Sequence, residues 1–239
     1  GDLMTKQQDH LQIFDLILTV RSPLFIGDGR MYTKAEYLYN TRNGRASLLD
    51  EQKFFTFLTD RGLIDRYIQF MLCDQSDLWA FLTKDCGIPN TELTTLTRYT
   101  IEAGDAVTNP PKNLYTFQRD AHDRAYIPGS SLKGALRTVW LLQAVRADRS
   151  TGHSLASDDN AAFPEEQYVN QLHLRLQKDG SIASDAVNSL FRGVQVSDST
   201  SIPNEQMALC GKFDALPDGS FPKNSKKGIP LFRECAIPG

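Results

Sequence analysis

The chain has 239 residues, 41% of them hydrophobic and 23% charged, with a formal net charge of -3. That is enough apolar material for a real core in one large domain or two small ones, and it excludes disorder over the whole length. The mild acidity gives no global basic field for non-specific capture of DNA or RNA, so any nucleic-acid site must be local.

Leu11 to Val20, LQIFDLILTV, places Phe14, Leu16, Leu18 and Val20 at period two, which predicts a strand with one buried face. In the following RSPLFIGDGR, Pro23, Gly27 and Gly29 predict a loop with closely packed backbone. Ala35 to Tyr39 and Ala46 to Leu49 flank Asn43-Gly44, a pair that tolerates positive φ and signals a β-hairpin. Asp50 is placed to cap a helix with Phe54, Phe55 and Leu58 on one side and Gly62 at its end. Leu63 to Leu72 and Ser76 to Cys86 repeat the helical spacing, the second closed by Gly87 and Pro89, so a helical insertion over about 63–96 is expected. Thr97 to Ala103 and Leu114 to Gln118 form strands around the turn-rich AGDAVTNPPKN. After Pro128-Gly129, a long amphipathic helix is expected from Ser131 to about Arg149, capped by Ser130 or Ser131, with Leu132, Ala135, Leu136 and Val139 as its buried stripe. Residues 150–163 are poor in apolar side chains and predict a mobile loop. Beyond it come a helix over Glu165 to Leu176, a short helix or turn at Ala186 to Phe191, and strands at Gly193 to Ser197, Met207 to Phe213 and Gly228 to Cys235. Strands and helices mix without strict alternation, which favours an α+β fold over a doubly wound parallel sheet.

Several function classes fall away. Cys73, Cys86, Cys210 and Cys235 form no CxxC pair and have no histidine at ligand spacing, so no zinc site is expected. No apolar run reaches membrane-spanning length and GDLMTKQQDH is polar, so a cytoplasmic protein with no membrane association is the default expectation. Two windows are locally basic: 119–149, with Arg119, Arg124, Lys133, Arg137, Arg146 and Arg149, and 212–233.

Within the first window lies IPGSSLKGALR, residues 127–137. A helix N-terminus with free N–H groups, two serine hydroxyls and Lys133 and Arg137 four residues apart has the ingredients of a phosphate cradle, and Gly134 keeps that turn small. A capped helix with two solvated cations fits the same residues. A nucleotide-binding P-loop does not, because Lys133 precedes Gly134 instead of following the last glycine. Gly27-Asp28-Gly29 lacks the third glycine of a dinucleotide site.

The string IPGSSLKGALR resembles the glycine-rich signature of the RAMP superfamily, the ferredoxin-like RNA-binding proteins of CRISPR systems. Within it, the chain resembles the subunit at the crRNA 3′ end of type III-A (Csm) effector complexes. LTVRSPLFIGDGR is similar to that family's first strand and loop, EYLYNTRNGRASLLD to its first hairpin, and FRGVQVSDS and GIPLFRECAIPG to later landmarks. The resemblance implies an α+β, ferredoxin-like (RRM-like) RAMP domain over residues 1–239 with helical and loop insertions. Because the family usually continues into a second ferredoxin-like unit, it also implies that this unit is incomplete and the family's C-terminal part missing.

The implied role is a non-catalytic crRNA-binding subunit that caps the guide's 3′ end and supports guide maturation and target RNA interference. Its implied partners are the crRNA 3′ region, the neighbouring RAMP backbone subunit and small subunit, target RNA and host nucleases, with no cofactor or metal. Gly129, Ser130, Ser131, Lys133 and Arg137 would contact the guide backbone, which positions RNA without reading its sequence. Ser22, Gly27 and Gly29 would line the same channel, with Arg192 and Ser197 as further candidates. One departure is Phe25, where many relatives carry histidine before the Ile-Gly of the first loop. RNA cleavage without metal needs a base and an acid, work usually given to histidine, and His10, His122, His153 and His173 form no visible constellation. Asp28, between two glycines, suits a turn. The competing expectations are a guide-processing RAMP endoribonuclease and the equivalent capping subunit of a type III-B complex, the latter disfavoured by the RECAIPG ending.

Overall fold

The computed structural model describes residues 12–73, 77–103, 111–150, 168–181, 186–212 and 231–239. Seven strands form one mixed sheet: β1 (Gly27–Thr33), β2 (Tyr37–Asn40), β3 (Arg45–Leu49), β4 (Thr97–Glu102), β5 (Asn113–Phe117), β6 (Met207–Gly211) and β7 (Leu231–Ala236). Their order is β1-β5-β7-β6-β4-β3-β2. The β1/β5, β6/β7, β3/β4 and β2/β3 pairs are antiparallel, whereas β5/β7 and β4/β6 are parallel. The fold is therefore α+β.

The β2/β3 hairpin forms where Asn43-Gly44 predicts it, but only Gly44 takes positive φ, at 61°. The turn is four residues long, with Asn40 accepting from the Arg42 N–H. Helices α1 (Glu51–Asp60), α2 (Ile64–Met71), α3 (Leu78–Ala80) and α4 (Asn90–Leu93) follow before β4, and α3 runs on through a π turn at Phe81–Asp85. Phe54, Phe57, Leu58, Leu78 and Leu82 of this block bury against Leu38 and Leu49 of the hairpin strands. Phe57, not Phe55, completes the buried face of α1; Phe55 stays 64% exposed. Asp50 caps α1 as expected, accepting from the Lys53 N–H at 3.0 Å. Replacing it by alanine is expected to cost about 1 kcal/mol of unfolding free energy, and by asparagine almost nothing, which chemical denaturation of the two variants will read out.

Four expectations are overturned. Residues 12–20 form no regular secondary structure and pair with no described strand, and Ile17 is 90% exposed. Alternation sets which side chains share a face, but a strand also needs a ladder partner, and none of the described strands supplies one. Next, Gly27 and Gly29 lie inside β1 instead of ending regular structure. The β1/β5 register shifts between Gly27 and Met31, and Gly29 takes φ +83°, the conformation a bulge needs and glycine supplies cheaply. Finally, residues 170–176 are not helical, and residues 194–200 belong to no strand. Leu172, Leu174 and Leu176 recur at period two, and the buried Asn188 holds their backbone by accepting from Leu174 and Arg175 N–H at 3.0 Å each. Of the loop predicted over 150–163, Ser150 is instead the last residue of the helix Gly129–Ser150, and 151–163 lie outside the described residues.

Candidate nucleic-acid interface

The interface is built outward from a buried ion pair at the end of β5. Arg119 contacts Glu234 of β7, their side chains 5% and 0% exposed. The same guanidinium lies 3.9 Å from the centre of the Tyr99 ring and donates to the Asp123 carbonyl and to Asn204. Glu234 also accepts the Phe117 N–H at 2.9 Å. Arg119 and Ala125 bridge the base of a short hairpin whose Asp123 takes φ 61°, and Arg98 of β4 pairs with the Asp123 carboxylate. That hydrogen bond raises the Arg98 pKa. Asp120 accepts the Arg124 N–H, the Arg124 side chain and the His122 N–H, which together hold its carboxyl down to about 2. His122 thus sits exposed on a turn organised by Asp120.

From Ala125 the chain runs beside residues 196–202 into helix α5 (Gly129–Ser150). Ile202 N–H donates to Ala125, Ile127 N–H to the Ser199 hydroxyl, and Ser199 N–H to the Ile127 carbonyl, at 2.7, 2.9 and 3.0 Å. Gly129 lies so close to this strap that an added Cβ would stand 2.0 Å from the Val196 carbonyl oxygen and 2.7 Å from the Ser197 carbonyl carbon and oxygen. The glycine is thus required by close backbone approach.

The cap of α5 differs from the expected serine. Gly129 N–H donates to Asp198 at 2.8 Å, while Ser131 and Leu132 N–H both reach the Pro128 carbonyl. Part of the predicted backbone cradle is therefore already filled by a carboxylate. Ser130 and Ser131 keep exposed side chains beside it.

The predicted buried stripe of α5 is also overturned. Leu132 is half-buried, but Ala135, Leu136 and Val139 are exposed, Val139 at 57%. The helix meets the body through its first turn, again where Trp140 meets Phe191 edge-on, and again where the Tyr168 hydroxyl donates to Asp148, while Leu136 and Val139 stay exposed. Lys133 and Arg137 are instead half-buried, one turn apart on the same flank. Arg192 follows Phe191, so it lies beside the Trp140 level, roughly 16 Å along the helix from Gly129 at 1.5 Å per residue. Ser197 touches Gly129, whereas Arg192 belongs to another part of the surface.

The first loop joins the same cluster. Leu24 exchanges two hydrogen bonds with Ala236, Gln118 N–H reaches the Ile26 carbonyl, and Leu24 and Ile26 pack with Leu132 around Phe117, Ala125 and Ile127. Ser22 on this loop and Gly27 and Gly29 in the β1 strand that follows it, all exposed, are thereby carried on a segment sharing one core with the glycine-rich turn. Asp28 accepts from Arg30 N–H and the Thr116 hydroxyl, fixing the bulge.

Phe25 shields Gly27 and lies under the Arg233 guanidinium, 4.9 Å from the ring centre. Arg233 belongs to the basic window 212–233, but its place over Phe25 is not legible locally, and Asp198 is a site residue that sequence reasoning does not single out; both come from distant chain, in the segments RECAIPG and FRGVQVSDS. A groove of about 510 Å³ near the far end of β1 mixes Arg30 and Arg98 with Asp50 and Glu51, so it is not uniformly basic. Among the described residues no cluster of three histidine, cysteine or carboxylate side chains could hold a metal ion, and no described helix is long and apolar enough to cross a membrane.

Comparison with known proteins adds three findings. The family model of the RAMP superfamily matches residues 17–238. The CRISPR system Cms protein Csm5 of Streptococcus thermophilus is 29% identical over 237 residues, covering 94% of this chain and 61% of its own length. Among solved structures, T. onnurineus Csm5 superposes with a TM-score of 0.68 at 17% identity, covering 92% of this chain and 64% of that one. A chain of a Csm-crRNA-target RNA ternary complex of a type III-A CRISPR-Cas system does so at 0.62 with 20% identity, covering 92% and 60%. The two solved structures share the fold. The chain spans about three fifths of the length of each of these relatives.

Proposed function

The chain belongs to the RAMP superfamily, and from that premise we propose that it is an RNA-holding subunit of a type III-A Csm effector complex, seated at the 3′ end of the guide and without a catalytic centre of its own. The observation that carries this reading is the convergence of the two glycine-bearing segments. The first loop and the start of β1, bearing Ser22, Gly27 and Gly29, and the start of α5, bearing Gly129, Ser130, Ser131, Lys133 and Arg137, pack on one apolar cluster through Leu24, Ile26 and Leu132. Hydroxyls and cations at that rim can neutralise guide phosphates while leaving the bases free to pair, as a guide of changing sequence requires. The likeness to Csm5 over 94% of the chain supports the type III-A assignment over type III-B. Partners in this reading are the crRNA 3′ region, the neighbouring RAMP backbone subunit and the small subunit.

Holding, not cutting, is favoured by what the rim contains. Phe25 serves as a platform for Arg233, and the described histidines, His122 and His173, are exposed on different turns. The test is binding of a labelled single-stranded RNA by wild type and by the Lys133→Ala/Arg137→Ala variant across a salt series. The variant is expected to bind about tenfold more weakly, and its log K against log salt slope to be shallower by about 0.7 for each phosphate it no longer neutralises. Equal binding and equal slope overturn the interface, and metal-independent cleavage of repeat RNA by the wild-type protein overturns the holding role.

A further inference from the structure

We propose that Asp198 is the positioning residue of this interface: it fixes the start of α5 from a segment 69 residues away and, by occupying the Gly129 N–H, directs guide phosphates onto the Ser130, Ser131, Lys133 and Arg137 flank. This rests on the RNA-holding reading above. Helix α5 cannot cap itself in the usual way. Pro128 precedes it with no N–H and no side-chain acceptor, and Gly129, its first residue, has no side chain at all. The acceptor must come from elsewhere in the fold, and the strap supplies it.

The strap is held in register independently of Asp198. Ser199 and Ile127 exchange two hydrogen bonds, Ile202 pairs with Ala125, and Gly129 lies against the Val196 and Ser197 backbone. Asp198 is therefore carried to the helix N-terminus by a rigid neighbour, where its charge also complements the positive end of the helix dipole. The same charge has a second effect. A phosphate approaching along the helix axis would meet a carboxylate, whereas one approaching the side of the first two turns meets Lys133 and Arg137, which are half-buried there. Asp198 thus selects the direction from which the guide backbone is held.

The two roles separate by substitution. Asp198→Asn keeps an oxygen acceptor for Gly129 N–H and removes the charge; Asp198→Ala removes both. Hydrogen exchange of the Gly129–Leu132 amides in the RNA-free protein is expected to match wild type in Asp198→Asn and to be about fivefold faster in Asp198→Ala. Binding of a labelled single-stranded RNA is expected to tighten about twofold to fivefold in Asp198→Asn, because a repulsive charge is lost, and to weaken in Asp198→Ala despite the same loss of charge. The proposal is overturned if Asp198→Ala exchanges like wild type, or if the two variants shift RNA binding alike. Failure of wild-type protein to bind RNA would instead sink the RNA-holding reading, with the exchange experiment still deciding whether Asp198 fixes the helix.

Discussion

Replacing Glu234 by alanine is expected to lower the unfolding free energy by about 3–5 kcal/mol. The wild-type pair need contribute little by itself, since desolvation offsets most of the attraction between two buried charges. Removing one partner is different, because the other stays behind. Arg119 is stacked on Tyr99 and donates to the Asp123 carbonyl and Asn204, so it cannot swing into water without breaking the base of the hairpin. The Phe117 N–H loses its acceptor as well, which adds the cost of an unsatisfied buried donor. Glu234→Gln keeps an acceptor for Phe117 and should cost less than alanine. Paired replacement of Arg119 and Glu234 by apolar residues should cost less than Glu234→Ala alone. Urea denaturation of the four proteins measures this order, and a double variant weaker than the single one contradicts it.

The second large effect is at Gly129, with its opposite at Gly134. Gly129→Ala puts a methyl group 2.0 Å from the Val196 carbonyl oxygen, and the obstructing atoms are backbone, which cannot turn aside. Overpacking of this kind costs about 1–3 kcal/mol, and the strap must move, so RNA binding should fall further than the loss of stability alone explains. Gly134 has nothing within 4 Å of its would-be Cβ. There alanine should raise stability by about 0.5–1 kcal/mol, as for any exposed glycine in a helix interior. If the guide backbone passes over that turn, Gly134→Ala nevertheless weakens RNA binding, so stability and affinity move in opposite directions. Denaturation midpoints and RNA titrations of the two variants test both signs.

How much of this was legible in the sequence follows from the range of the interactions. The Asn43-Gly44 hairpin, the Asp50 cap and the helical block rest on contacts within a few residues, and local pattern reveals such contacts; six of the seven strands also lie where their own residue pattern places them, although most of their ladders join distant segments. The glycine-rich segment was visible as a string. Its actual cap was not, since Asp198 lies 69 residues on, and the ion pair beneath it joins residues 115 apart. The stripe Leu132, Ala135, Leu136 and Val139 failed for a related reason. Helical spacing tells which residues share a face, but only the packed structure tells whether that face is covered, and here the flank of Lys133 and Arg137 is the more buried one. The strand expected over Leu11 to Val20 failed in the same way across its described residues, 12–20, which have the right alternation and no described ladder beside them.

The strand order carries a consequence for how the chain is made. The ribbon β1-β5 and the ribbon β4-β3-β2 are joined only by the β7-β6 pair between them, so the two parallel ladders that tie the ribbons together, β5/β7 and β4/β6, are the least local in the sheet. During synthesis at roughly 5–20 residues per second, the first hairpin, the helical block and α5 all leave the ribosome well before β7 exists. For those seconds the nascent chain holds two ribbons with open edges and no Glu234 to meet Arg119. Such late, long-range closure predicts slow folding with exposed strand edges. The surface proposed to hold RNA acquires its shape only when the last strand of the described sheet slides into the gap.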